Sequence, residues 1–244
     1  MKVLSAFLMS FSMFCAIPCP IRFWDERLRP MMTAVLPLVG LVIGAAWAFI
    51  GWACEGLGIH GLLAAVIMAA APWMLSGFIH VDGFMDCCDG ILSRRELEER
   101  RRILKDSHTG SFAVISMVLL AAFTVAAFYD SARDGYLALL PVPVATRALS
   151  AIAVQRLRSM GHSQYAAVER PRYATAAPAA MLAASFVLAA VIGVGALACT
   201  LPAALAWCAA CRHAFRQFDG MSGDVSGYAI TIGEAAAAVA FAFV

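Results

Sequence analysis

The sequence predicts an all-α fold: a polytopic integral membrane bundle of about six to eight transmembrane helices, with residues 1–244 forming one membrane-embedded domain. Three observations lead there. Of 244 residues, 62% are hydrophobic and only 14% charged, and mean hydropathy is +0.81, far from soluble globular averages. Several apolar runs reach the roughly 20 residues that cross a hydrocarbon core of about 30 Å. Strict alternation of these runs puts the Lys- and Arg-bearing loops on one side, with only Arg133 of the eighteen bases on the other. The net charge of +2 is spread over several loops rather than gathered in a patch, which argues against a nucleic-acid partner and leaves the lipid bilayer as the expected one.

Residues 2–16 are apolar and end in Ile17-Pro18-Cys19-Pro20. They lack the small-x-small cleavage pattern of a signal peptide and read as a retained helix in or dipping into the membrane. Residues 22–29 form a mixed-charge loop, and residues 31–54 are long enough to span. Gly56, Gly58 and Gly61 mark a turn before residues 62–79 return. After a polar stretch at 80–110, residues 111–129 span, 130–135 turn and 136–154 come back. A basic loop at 155–173 precedes a span at 176–198. Thr200-Leu201-Pro202 is the expected turn, which leaves 203–211 short for a full crossing. Residues 212–227 read as the last polar loop and 228–244 as the last helix. The cysteines, including Cys208-x-x-Cys211 and the adjacent Cys87-Cys88, read as small apolar residues, with neither zinc nor a disulfide framework expected.

Chemistry concentrates in residues 80–110. As a helix, spacings of four and three put Asp82, Asp86 and Asp89 on one face over about 10 Å of axis. Like charges on one stripe repel, and a shared cation relieves this; oxygen-only ligands favour Mg²⁺ or Mn²⁺ over zinc. Arg94, Arg95, Arg100, Arg101, Arg102 and Lys105 follow, then Asp106-Ser107-His108-Thr109-Gly110-Ser111 at the mouth of the next helix. Ser107, Thr109 or Ser111 is expected to cap that helix, whose first amides favour an anion. Acids for a metal beside bases and amides for phosphate point to phosphoryl transfer.

Downstream, the glycine-rich 220–227 segment, with Gly223 open to a ligand, offers Asp224 either as a fourth metal carboxylate or as a turn residue bonding its own backbone. Glu234 lies in an apolar run, where it is expected to face the bundle interior or be protonated. Arg147 either reaches substrate phosphate or snorkels, and His80 either orients a carboxylate or sits at the interface.

Three motifs in order, His80-x-Asp82-Gly83-x-x-Asp86-x-x-Asp89-Gly90, Lys105-Asp106-Ser107-x-x-Gly110-Ser111 and Gly223-Asp224-Val225-x-Gly227, resemble cobalamin synthase, the adenosylcobinamide-GDP ribazoletransferase family. Ile17-Pro18-Cys19-Pro20 and Leu36-Pro37-Leu38-Val39-Gly40 add to a likeness that runs nearly end to end. The resemblance implies a multi-pass enzyme of the bacterial inner membrane, its active-site loops cytoplasmic. It would join adenosylcobinamide-GDP to α-ribazole or its 5′-phosphate with Mg²⁺ and release GMP. It further implies metal carboxylates at Asp82, Asp86, Asp89 and Asp224. Lys105 and the nearby arginines would steady GMP, and a spare aspartate or His80 would take the attacking hydroxyl's proton. Two departures stand out: His108 where the family usually has arginine, and Cys87-Cys88 where it has small residues. An imidazole does not replace a bidentate fork, so Arg101 or Arg102 would have to compensate. Oligomeric state is left open, a homo-oligomer or association with other corrinoid enzymes being the partner expectations.

Two other readings compete. A CDP-alcohol phosphotransferase also uses membrane aspartates, but its motif carries Ala-Arg after the first Asp-Gly and wider spacings than Asp86 and Asp89 provide. A cation or metabolite transporter would need acids spread through the membrane depth, whereas here most sit at one face.

Overall fold

The structure, a computed structural model, describes residues 2–19, 21, 23–131, 135–160 and 171–244. Pro20, Arg22 and Arg133, used above for motif and sidedness, and residues 161–170 of the basic loop lie outside the described residues. Among those described the chain is helical, without a named strand. The helices are α1 (Lys2–Phe14), α2 (Arg29–Ala34), α3 (Leu36–Gly56), α4 (Gly61–Leu75), α5 (Ile79–Leu92), α6 (Leu97–Ile103), α7 (Ser111–Asp130), α8 (Pro141–Arg156), α9 (Tyr173–Ile192), α10 (Val194–Phe218) and α11 (Gly223–Phe241).

Five helices, α3, α7, α8 with its leading 3₁₀ turn, α9 and α10, are long and apolar enough to cross a membrane, and α4 with α5 makes a sixth if that bent pair counts as one span. This is a multi-pass helical membrane protein at the lower edge of the expected range. α1, at 13 residues, is too short to cross at 1.5 Å per residue.

Three boundaries differ from expectation. Residues 31–54 divide at Val35, where α2 stops and Pro37 opens α3. The turn expected at 200–202 falls at Gly193, whose φ of 138° only glycine adopts readily. Pro202 lies inside α10, and Thr200 Oγ1 donates to the Ala196 carbonyl at 2.7 Å. Residues 203–211 are therefore the middle of a 25-residue helix that crosses fully by length. Because α10 runs on to Phe218 and α11 begins at Gly223, the expected 212–227 loop shrinks to four residues, 219–222.

Small side chains set the packing. Ala69, Ala138, Ala189, Ala203 and Ala237 are buried around Trp47, Phe128 and Phe241, allowing helices to approach closely where lipid offers no hydrophobic drive to associate. Trp47 Nε1 donates to the Met68 carbonyl at 2.9 Å, so the buried indole is satisfied.

At one end the polar segments fasten to each other. Arg101 of α6 donates through Nε to the Phe218 carbonyl at 3.0 Å and through Nη2 to the Asp219 carbonyl at 3.1 Å. Met221 donates to the Arg158 carbonyl at 2.8 Å, and Met160 to that of Met221 at 3.0 Å. The segments before α7, after α8 and between α10 and α11 thus share one end of the bundle, as alternation of spans requires.

Candidate active site

The site begins at a break. After α4, Gly77 and Phe78 both take left-handed backbone, with φ of 62° and 61°, and α5 leaves at 93° to α4. The Phe78 amide reaches back to the Trp73 carbonyl at 2.8 Å, a capping bond that satisfies the end of α4. Redirected this way, α5 packs against α7 and α11, its Asp89 meeting the first turn of α7 and its Gly83 that of α11.

Asp89 meets α7. Its Oδ2 accepts from the Gly110 amide at 2.5 Å and its Oδ1 from the Ala113 amide at 2.9 Å, with the residue 8% exposed. The cap expected from Ser107, Thr109 or Ser111 is therefore supplied from another helix; Gly110 occupies the cap position without a side-chain bond, and Ser111 is exposed. Free amides (positive) at a helix start favour a carboxylate, so Asp89 satisfies α7 rather than presenting both oxygens to a ligand. Asp89→Ala is expected to lower stability by about 1–2 kcal/mol through loss of this cap, read as a lower melting temperature in detergent; an unchanged melting temperature would count against the capping role.

Asp224 meets α5 through two glycines. A Cβ on Gly83 would stand 2.8 Å from Asp224 Cα, and one on Gly227 would stand 2.9 Å from the His80 carbonyl oxygen. Only glycine lets the two backbones touch there. The contact sets Asp224 beside α5, and Asp86 lies within electrostatic reach of Asp82, Asp224 and Asp89. Ser222 caps α11, its Oγ accepting from the Val225 amide at 3.2 Å and lying 3.3 Å from Asp224 Oδ2. Asp224 therefore sits in the first turn of a helix rather than in a loop.

These elements line a cavity of about 710 Å³. Its walls include His80, Asp82, Asp224 and Gly223, together with Glu98, Arg101, Arg102 and Lys105 of the α6 region. Seven of the expected site residues, His80, Asp82, Arg101, Arg102, Lys105, Gly223 and Asp224, thus share one space. Asp86, Asp89, Asp106, Ser107, Gly110, Ser111 and Arg147 do not line it.

Each base has its own setting. Lys105 is exposed, and Arg102 is exposed and paired with Glu99 at 2.7 Å. Arg101 is half-buried, and its hydrogen bonds to the end of α10 make it a strap as well as a wall residue. Asp106 accepts from the ring and the amide of His108, at 2.7 and 3.0 Å, which hold its carboxyl below the usual range; the His108 ring is 91% exposed. Arg147 departs from the expected phosphate contact: fully buried, it pairs with Glu234 of α11 and reaches neither cavity nor interface. His80 is buried, stacked on Phe14 with ring centroids 6.2 Å apart, and its Nε2 has no hydrogen-bond partner.

Sequence reasoning missed several wall residues, among them Met13, Phe14, Ser150 and Ser222. Met13 and Phe14 of α1 and Ser150 of α8 sit in apolar runs that carry no signal, whereas Ser222 ahead of Gly-Asp was readable as a cap. Among the described residues, no three His, Cys, Asp or Glu side chains stand close enough to hold a metal by themselves. Asp82, Asp86 and Asp224 also form no ion pair among those residues. Uncompensated carboxylates without a closed cage fit a cation such as Mg²⁺, which keeps waters and shares phosphate oxygens with its substrate, better than one caged wholly by protein.

Residues 6–242 match the family model described as cobalamin-5-phosphate synthase. The adenosylcobinamide-GDP ribazoletransferase of Clostridium botulinum (strain Alaska E43 / Type E3) is 33% identical over 93% of this chain and 92% of its own. That of Clostridium perfringens (strain 13 / Type A) is 32% identical over the same shares. That of Syntrophobacter fumaroxidans is 33% identical over 78% of each chain. No solved structure matches.

Proposed function

The chain belongs to the cobalamin-5-phosphate synthase family, a family of transferases in cobalamin biosynthesis, and on that premise we propose that it joins adenosylcobinamide-GDP to α-ribazole, or to the 5′-phosphate of α-ribazole, releasing GMP, with Mg²⁺ or Mn²⁺ as its metal. The observation that carries this reading is the approach of Asp224 to α5 at Gly83, in a cavity faced by Arg101, Arg102 and Lys105. Carboxylates and bases lining one space suit a substrate that is a diphosphate, with a cation between it and the acids.

Asp82, Asp86 and Asp224 would hold the metal only together with waters and substrate oxygens; bound there, it would neutralise diphosphate charge and stabilise the leaving oxygen. Lys105 and Arg102, exposed at the rim, orient the guanosine-side phosphate and receive the charge of departing GMP. Arg101, fixed to the end of α10, keeps α6 over the cavity. The acceptor's ribose hydroxyl attacks the phosphorus on the cobinamide side, and a carboxylate not engaged by metal, or His80, takes its proton. Base-rich segments at one end of the bundle support a site facing the cytoplasm across a bacterial inner membrane. The same crowding of acids at one end speaks against a transport path, which needs polar groups along the membrane depth.

The test is GMP release by purified protein in nanodiscs with both substrates. Acceptor-dependent release is expected, lost on exhaustive chelation with EDTA and restored by Mg²⁺. Release that survives chelation removes the metal, and absence of product with both substrates and Mg²⁺ removes the reaction.

A further inference from the structure

Beside the main cavity lies a second, more open one, of about 530 Å³, between the last turn of α1 and the α4–α5 break. Both volumes fall within the roughly 300–1,000 Å³ of small-molecule sites. The two spaces share Met13, Ile79 and Asp82 as a common wall. Ala16 donates its amide to the Leu75 carbonyl at 2.8 Å, which pins the end of α1 to the end of α4 and frames the second space.

Charge separates the two. The main cavity carries Arg101, Arg102 and Lys105, while the second has no Lys or Arg among its described lining residues and one carboxylate, Asp82. Its other walls are apolar or small, with Phe78, Met13, Ile79 and Ala16 suited to the faces of an aromatic base. A diphosphate would be poorly held there, whereas a nucleoside ring system needs no counter-charge.

Resting on the function proposed above, we propose that the enzyme sorts its substrates between these chambers: the diphosphate donor in the main cavity, and the base and ribose of the acceptor in the second, with Asp82 at the junction. The acceptor hydroxyl then meets phosphorus across Asp82. A new O–P bond forms as the P–O bond to GMP breaks, GMP leaves with the bonding pair towards the bases, and the hydroxyl proton passes to the base named above, a carboxylate free of metal or His80. Two chambers meeting at one carboxylate hold both reactants in line without either crossing the other's site.

The experiment measures KM for each substrate in nanodisc-reconstituted protein. Ser12→Trp fills the second chamber from the exposed side of α1, and Arg102→Gln removes a base from the first. Ser12→Trp is expected to raise KM for the acceptor about tenfold and leave KM for the donor within about twofold; Arg102→Gln is expected to show the reverse pattern. Should Ser12→Trp fail to fold, Ala16→Phe fills the same chamber and takes its place. A filled second chamber that raises the donor's KM, raises both equally or changes neither overturns the assignment. A wild-type protein that releases no GMP overturns the function itself, so the two failures are told apart.

Discussion

Asp82→Ala and Asp86→Ala are each expected to lower turnover on the order of 10³-fold, the upper range for losing a single electrostatic stabiliser, with protein level and melting temperature near wild type. Asp82 is exposed and Asp86 half-buried, and neither is tied into the fold by an ion pair among the described residues. Their removal relieves like-charge repulsion along α5, so the fold has nothing to lose. The loss falls on the chemistry, because each variant takes one carboxylate, Asp82 in the cavity wall or Asp86 one turn further along α5, from the set that would fix the cation and the diphosphate. Asp89→Ala makes the contrast: the same motif, but a side chain bound to the first amides of α7, so stability falls first. Near-normal GMP release by Asp82→Ala and Asp86→Ala, measured against chelated controls, would end the metal-site reading.

The second large effect concerns Arg147 and Glu234, 0% and 3% exposed, an ion pair between α8 and α11. Breaking a buried pair leaves an uncompensated charge, at a cost of about 3–5 kcal/mol. The two halves are not equivalent. A lone carboxylate in an apolar setting can take up a proton, but a guanidinium cannot shed one, and Nε and Nη2 of Arg147 already lack hydrogen-bond partners. Glu234→Leu is therefore expected to cost more than Arg147→Met. The double variant, with an apolar pair of similar volume, should recover most of the loss. Thermal melts of the three proteins in one detergent decide it: equal losses for the single variants, or a double variant as unstable as Glu234→Leu, would show that the pair's charges do not set the cost.

The spacing of Asp82, Asp86 and Asp89 was legible because a helix turns a linear spacing into a face, and the sequence alone carried the all-helical membrane class because composition and run length suffice for it. The sequence misplaced the turn at 200–202 because proline there looked like a breaker, while Gly193, the residue whose backbone demands the turn, sat inside an apolar run. It could not separate the roles of the aspartates either. Asp82 and Asp89 lie on the same face of α5, but only tertiary packing brings α7's amides to one and a cavity to the other.

Residue types and local periods are thus written into the chain: which segments are helices, which are apolar, and which carry acid or base. Packing alone decided that Asp224 stands beside α5 through Gly83 and Gly227, that Arg147 answers Glu234 rather than a phosphate, and that Phe14 of the first helix covers His80. The physical reason is range. Helix periodicity acts over a few residues, whereas these contacts join positions far apart in the chain whose meeting depends on how every intervening helix is stacked.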